Sequence, residues 1–395
     1  VDSRRKLTLS ACCAVHGLQD GLSAALFVLL PVLAQGFGLS YAQVGILRAS
    51  NNSAMMLFEI PSGMYSERIG ERPLLVFGLL CASLGYLWLA TAGGFIIAVL
   101  SLFTAGLGAA FQHALASSIV THSFQGNGRR AALGVYNSAG DAGKLAFTGL
   151  FSLAIGMGAA WQQVVTGFGL LTLLAAVALF VVLRLLDVGG HPHHHTHSQA
   201  APPQLGWGIR NRSGFFALAV MVFVDSVVQA GFLTFLAFLM IAKQVPTSLA
   251  ALAVVLTLLG GVFGKFGCGF LAQRLGVIRS LILIEILTAI GIIIILMAPT
   301  GLAYVLLPVL GFALQGSSSI TYGTVGDLVH GKRQSRGFAA IYTIASAASI
   351  AGPIGFGYIG DQFGLAPVML AMAVIVLLPL PLSMLLRPAL KEHYA

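Results

Sequence analysis

Charge is what this sequence has least of. Asp, Glu, Lys and Arg together make up 8% of its 395 residues, where a soluble domain carries about 25%, and that shortfall excludes an ordinary water-soluble chain. Cysteine is scarce too. Cys12, Cys13, Cys81 and Cys268 each lie in an apolar stretch without the spacing of a disulfide framework or a zinc site, so they read as small packing residues. No phosphate-binding loop is present: Gly260-Gly-Val-Phe-Gly264-Lys265 lacks the required spacing and the following Ser or Thr, which excludes an ATP-driven pump. No nucleophile–base constellation supports an enzyme. A cleavable signal peptide is not expected either, because Arg4-Arg5-Lys6 leads straight into a span of ordinary length.

What fills the space is apolar. Such residues make up 57% of the chain and the mean hydropathy is +0.93, which identifies an all-α integral membrane protein. Twelve hydrophobic spans are predicted, at 7–34, 41–65, 73–94, 97–121, 131–154, 160–186, 213–240, 248–273, 277–298, 301–327, 335–359 and 365–387. Each approaches or exceeds the roughly 20 residues that a helix needs to cross hydrocarbon. An even number of crossings leaves both termini on one side. Of the 21 basic residues, all but Arg48, Lys144, Lys243 and Lys265 fall on that side or at the termini. By the positive-inside rule the termini are expected to be cytoplasmic, with the chain in the inner membrane. The net charge of +9 is thus spread over short loops, so no nucleic-acid partner is expected; the partners are lipid and a small-molecule substrate, with the chain monomeric.

The chain is organised around a charged turn, Gly63-Met-Tyr-Ser-Glu67-Arg68-Ile-Gly70-Glu-Arg72, which recurs at Gly269-Phe-Leu-Ala-Gln273-Arg274-Leu-Gly276. The offset from 63 to 269 also pairs Arg68 with Arg274, Gly70 with Gly276, Arg130 with Arg336, Tyr136 with Tyr342 and Gly149 with Gly355, which indicates a duplicated half. The predicted domains are an N-terminal six-helix bundle at 1–186, a polar linker at 187–212, and a C-terminal six-helix bundle at 213–395. This layout resembles the major facilitator superfamily, whose loop motif Gly-x-x-x-Asp-Arg-x-Gly-x-Arg/Lys is matched here by Gly63, Glu67, Arg68, Gly70 and Arg72. Glu67 replaces the usual Asp, and Gln273 stands at the acidic position of the second copy. The resemblance implies a fold of two six-helix bundles in parallel repeat, and a loop that gates the cytoplasmic side. The stretch from His16-Gly-Leu-Gln-Asp20 to Pro31, with Phe37–Gly45, is similar to the fosmidomycin-resistance exporters. Phe111-Gln112-His113-Ala114-Leu115 departs from the Phe-His-Pro-Glu run of that group.

Polar residues within spans are expensive in a bilayer and so mark the transport pathway. Span one carries His16, Gln19, Asp20 and Ser23 on one helical face. Span two carries Arg48, Asn51, Asn52 and Glu59; span four Gln112, His113 and Ser117; span five Asn137, Asp141 and Lys144. In the second half, span seven has Asp225 and Gln229, and span ten has Gln315, Ser318, Ser319 and Tyr322. The resemblance implies that spans one, four, seven and ten line the central pathway. Asp20 is the leading candidate for the proton-coupling carboxylate, with Asp225 its competitor, and Arg48 the candidate for an anionic group; a salt bridge from Lys144 or Arg48 would instead hold Asp20 ionised and silence it. Plainer readings stand beside these. Asp141 and Lys144 fit a simple neutralising pair, Glu59 and Lys265 fit structural or gating roles, His113 fits a satisfied structural donor, and Glu285 fits packing in a peripheral span. His191, His193, His194, His195 and His197 suit zinc, nickel or copper chemically but sit in a linker of no fixed geometry, so they read as a solvated connector. The function expected is a secondary transporter with no cofactor, driven by the proton gradient and exporting a small organic solute, anionic or amphipathic. The alternatives are uptake by proton symport, and a metal-responsive or metal-transporting protein using its His-rich linker.

Overall fold

A computed structural model describes residues 3–124, 127–190, 208–330 and 334–387. The His tract at 191–197 and the end of the chain lie outside these residues. Among the described residues the fold is all helical: α1 (Ser3–Phe37), α2 (Tyr41–Ile69), α3 (Glu71–Ala90), α4 (Phe95–Ala110), α5 (His113–Ser123), α6 (Asn127–Gly156), α7 (Trp161–Leu185), α8 (Arg212–Ala242), α9 (Thr247–Leu275), α10 (Val277–Met297), α11 (Thr300–Leu328), α12 (Gln334–Phe363) and α13 (Leu365–Ile375). Every predicted span is occupied by helix. Ten spans are long and apolar enough to cross a membrane by length and composition. The two long helices outside that set, α2 and α6, are those that carry Arg48, Asn51 and Glu59, and Asp141 and Lys144.

Two spans are interrupted. Span four breaks at Phe111 and Gln112 into α4 and α5. Gln112 N bonds to Ala109 O in a tight turn, and Ser62 Oγ donates to the Ala110 carbonyl at 3.0 Å, so an inserted hydroxyl satisfies an acceptor that the helix releases. The last span stops as α-helix at Ile375 and passes through a 3₁₀ turn at Leu380–Leu382. Pro379 and Pro381 remove the N–H groups that would have continued it.

The chain divides into two compact units. The first takes in α1, α2 from Ile46, α3 to α7 and the start of α9 at Thr247–Ala251. The second takes in Ser40–Gly45, α8, α9 from Leu252 and α10 to α13. Beside the expected bundles at 1–186 and 213–395, the first turns of α2 and α9 are exchanged. In the second unit Asp361 caps the start of α2, with Oδ1 accepting from Tyr41 N at 2.6 Å and Oδ2 from Ser40 Oγ at 2.8 Å and Ala42 N at 3.1 Å. In the first unit Ser152 Oγ donates to the Ser248 carbonyl at 2.7 Å, at the start of α9.

Within the first unit α1 packs along α6, and the closeness is set by glycine. A Cβ placed on Gly143 would fall on the Gly17 carbonyl, and one on Gly21 would meet Phe147. Tyr86 of α3 donates to the Leu22 carbonyl of α1 at 2.7 Å, and Ser83 donates to the Gly169 carbonyl of α7 at 2.8 Å. In the second unit α8 packs on α12 and α10 on α11. Lys243 Nζ closes the end of α10 through the carbonyls of Leu296 (2.8 Å) and Ala298 (2.7 Å). Many large apolar side chains face outward, among them Leu174, Val177, Val305 and Phe270. An apolar surface of this extent suits lipid.

The repeated turns share a backbone conformation: Gly70 has φ +85° and Gly276 φ +81°, a region that favours glycine. Arg72 N donates to the Gly189 carbonyl at 2.8 Å, and its guanidinium lies against Gly190. That residue of the loop motif therefore holds the end of α7 and the beginning of the linker. Arg4 donates to the Leu186 carbonyl in the same region. Glu67, Arg68 and Arg274 are exposed.

Candidate functional site

The polar face of α1 meets α5 and α6 in the first unit, and five of the expected residues come together there. Asp20 is the centre: its Oδ2 lies 3.0 Å from Lys144 Nζ and 3.5 Å from His16 Nε2, and its Oδ1 lies 3.5 Å from His113 Nε2. Lys144 also reaches Asp141 Oδ1 at 3.1 Å. The simple Asp141–Lys144 pair is therefore only half of the arrangement, because Lys144 bridges two carboxylates on two helices. The side chains are not sealed: Lys144 is 30% exposed, His113 27%, Asp141 19% and Asp20 12%.

The imidazole of His16 is oriented by α6. Its Nδ1 lies 2.9 Å from the Tyr136 carbonyl, and a carbonyl only accepts, so Nδ1 carries the hydrogen. Nε2 then faces Asp20. Neutral, it presents a lone pair to a carboxylate; carrying a proton, it presents a donor. The ring stacks on Tyr136 with centroids 4.1 Å apart and meets His113 edge-on at 5.3 Å. Gln112 Nε2 donates to Tyr136 Oη at 2.6 Å. With both imidazoles neutral, Asp20, Asp141 and Lys144 sum to one negative charge, and a single added proton makes the cluster neutral.

The other expected residues are dispersed. Gln19 is buried, with its Nε2 lacking a hydrogen-bond partner. Arg48 is buried; it donates to the Ser23 carbonyl at 2.8 Å and lies 4.2 Å over the Phe27 ring. Ser23 follows Asp20 by three residues, about 4.5 Å along the helix. Asn51 donates to the Leu102 carbonyl at 3.2 Å. Asn137 is exposed, and no hydrogen bond joins it to the cluster among the described residues. In the second unit Asp225 Oδ2 accepts from Ser317 Oγ at 2.8 Å, Gln229 donates to the Leu314 carbonyl at 3.1 Å, and Gln315 to the Thr257 carbonyl at 3.3 Å. Tyr322 packs on Tyr342 at 5.1 Å, a contact within the second unit, and Ser319 is half-buried. Two participants escaped the sequence reading as site residues. Tyr136 served only as a repeat marker, although it lies one turn before Gly140 on the α6 face against His16. Ser317 is one position from the serines that were singled out.

A family model of the Major Facilitator Superfamily matches residues 11–306 and 218–393. The chain belongs to this superfamily: it is a multi-pass membrane transporter that works by alternating access. It is 27% identical over 377 residues to the uncharacterized MFS-type transporter YfnC of Bacillus subtilis (strain 168), covering 92% of this chain and 88% of that one. It is also 27% identical over 389 residues to monocarboxylate transporter 11 of Mus musculus, covering 90% and 81%. In fold it is similar to a bacterial homolog of the human lysosomal transporter Spinster, solved inward-facing and unoccupied. The TM-score is 0.81 at 17% identity, covering 100% of this chain and 99% of that one. The occupied form of the same homolog gives a TM-score of 0.80. None of these relatives carries the fosmidomycin-resistance subgroup.

Proposed function

We propose that this transporter moves a small organic anion together with a proton, and that both bind at the Asp20–Lys144 cluster. The observation that carries the reading is Lys144 Nζ held between Asp20 and Asp141 at 3.0 and 3.1 Å. While Asp20 is ionised, its carboxylate occupies the ammonium. A proton taken up at Asp20 or at His16 Nε2 weakens that hold, and the carboxylate of a solute can then take its place on Lys144. Proton and anion thus favour each other's binding. Of the two directions of coupling read from the sequence, this favours symport. A solute exchanging against protons would have to compete with them for Asp20, where Lys144 already sits. Arg48 of α2, outside the cluster and held at the Ser23 carbonyl of α1, supplies a second positive charge in the same unit. The name of the mouse relative supports a monocarboxylate as the solute class. The basic loops support cytoplasmic termini in the inner membrane, and one chain as the working unit is part of the same reading.

A second reading has its own observation. Donor atoms of His16, Asp20 and His113 lie within 4.8 Å of one another, and the Tyr136 carbonyl fixes His16 with Nε2 free, as metal-ligating histidines require. A divalent transition metal would have to displace Lys144 from Asp20. Proteoliposomes loaded with unlabelled solute and tested for counterflow separate the two. Short monocarboxylates should exchange, uncharged amides of the same size should not, and Zn²⁺ should neither exchange nor be required. Exchange of Zn²⁺ alone, or equal exchange of acids and amides, would overturn the anion reading.

A further inference from the structure

Helices α10 and α11 pack on each other in the second unit and leave a groove between them. It has a volume of about 180 Å³ and is lined by α10 from Leu287 to Ile295 and by α11 from Leu306 to Ala313. Gly291 puts no side chain into it, and a Cβ there would already come within 2.8 Å of Leu310 Cδ1. The rim is Ile290, Ile294 and Val309, which are 48%, 41% and 66% exposed. Every side chain of the lining is apolar. Water in such a groove would lack the two to four polar partners that hold a buried water, so the fitting occupant is hydrocarbon.

The position of the groove says which hydrocarbon. Leu287 to Ile295 covers about 12 Å of helix at 1.5 Å per residue, in a helix of 21 residues that runs from Val277 to Met297. All of it lies in the half of α10 that ends at Met297, and the facing residues of α11 lie in the half that begins at Thr300. A hydrocarbon core about 30 Å thick gives each leaflet about 15 Å, so the groove matches the depth of one leaflet. A second copy of the chain, or another helix crossing the membrane, would seek a seam through both leaflets. An acyl chain reaches through its own leaflet only.

The mouth of this half carries a positive charge. Lys243, the residue that follows α8, donates from Nζ to the Leu296 and Ala298 carbonyls at 2.8 and 2.7 Å, immediately beyond the last groove residue of α10. An ammonium has three hydrogens, so two are engaged there. None of the four ion pairs among the described residues includes Lys243, so no carboxylate answers its charge. A half-buried Lys at the end of a membrane helix suits a lipid phosphate.

We propose that the α10–α11 groove binds one acyl chain of an anionic phospholipid, with the phosphate at Lys243. The site lies wholly in the second unit, apart from the Asp20 cluster, and is independent of which solute is carried.

Photolabelling of the purified full-length protein in phosphatidylcholine nanodiscs tests this, with trace phosphatidylglycerol that bears a diazirine midway along one acyl chain. Peptide mapping should place the label on 287–313 well above its level at the exposed apolar residues of α7, Leu174 and Val177. Val309→Trp fills the groove from its exposed rim, away from the core, and should abolish that excess. Lys243→Gln keeps a donor for the helix-end carbonyls and removes the charge. It should lower the labelling about fivefold, the weight of one basic residue at an anionic lipid surface. Diacylglycerol with the same diazirine chain should label the groove weakly, and equally in wild type and Lys243→Gln. Even labelling of α7, α10 and α11, or an excess that survives Val309→Trp, would overturn the proposal. Equal labelling by the two lipids in the wild type, or no effect of Lys243→Gln, would overturn it as well. Two chains per nanodisc with the groove protected from label would overturn it in favour of a second copy.

Discussion

Replacing Lys144 by methionine isolates the contact on which the first-unit site depends. Methionine retains most of the stem volume and removes the charge, so Asp20 and Asp141 both lose the ammonium they share. At the 3.0 Å separation from Asp20, two unit charges attract by about 5–6 kcal/mol at an effective dielectric of 20. The 3.1 Å contact with Asp141 is of similar gross size. Desolvation offsets much of this, and Lys144 is 30% exposed, so water screens part of what remains. Removing one partner of a fully buried pair costs roughly 3–5 kcal/mol; for this partly open cluster a loss of about 2–4 kcal/mol follows. The assay is thermal inactivation of purified variants in nanodiscs, run as a double-mutant cycle with Asp20→Asn. Lys144→Met with Asp20→Asn should be more stable than Lys144→Met alone, because the second change discharges a carboxylate that the first left unpaired. Purely additive effects, or a Lys144→Met variant as stable as wild type, would refute the bridge.

Other outcomes follow from contacts already described. Asp361→Ala removes the acceptor for Ser40, Tyr41 and Ala42 and should cost about 1–2 kcal/mol, the range of a lost helix cap, read in the same melting assay. Gly143→Val should fail to assemble or melt far below wild type, since its side chain would fall on the Gly17 carbonyl; normal melting would mean that α1 and α6 are not so closely apposed. Arg68→Ala should slow turnover more than it weakens solute binding, as the gating motif implies, and wild-type transport rates would argue against a gate. Deleting 191–197 should leave solute transport intact, and loss of transport would transfer function to the His tract.

The spans were legible because lipid selects long apolar runs, and the repeat because glycine is needed twice at positive φ, at Gly70 and Gly276. Asp20 was legible from one helix: His16, Gln19 and Asp20 share a face by spacing alone. Its partner was legible only as a choice between Lys144 and Arg48, and the structure takes Lys144. Lys144 lies beside Asp141 in sequence, and only the glycine-lined approach of α6 to α1 carries its ammonium to Asp20. The break in span four was hidden for a similar reason. The carbonyl released there meets Ser62, 48 residues before Ala110, and no local propensity announces that hydrogen bond.

The central claim is that the Asp20 cluster couples a proton to the solute, and one comparison tests it most directly. Wild type and Asp20→Asn are reconstituted in proteoliposomes and given a small monocarboxylate, once with an imposed pH gradient and once for exchange at equal pH. The account predicts that Asp20→Asn still exchanges solute but no longer accumulates it in response to the gradient, because the proton no longer governs access to Lys144. Gradient-driven accumulation at the wild-type level in Asp20→Asn would contradict it.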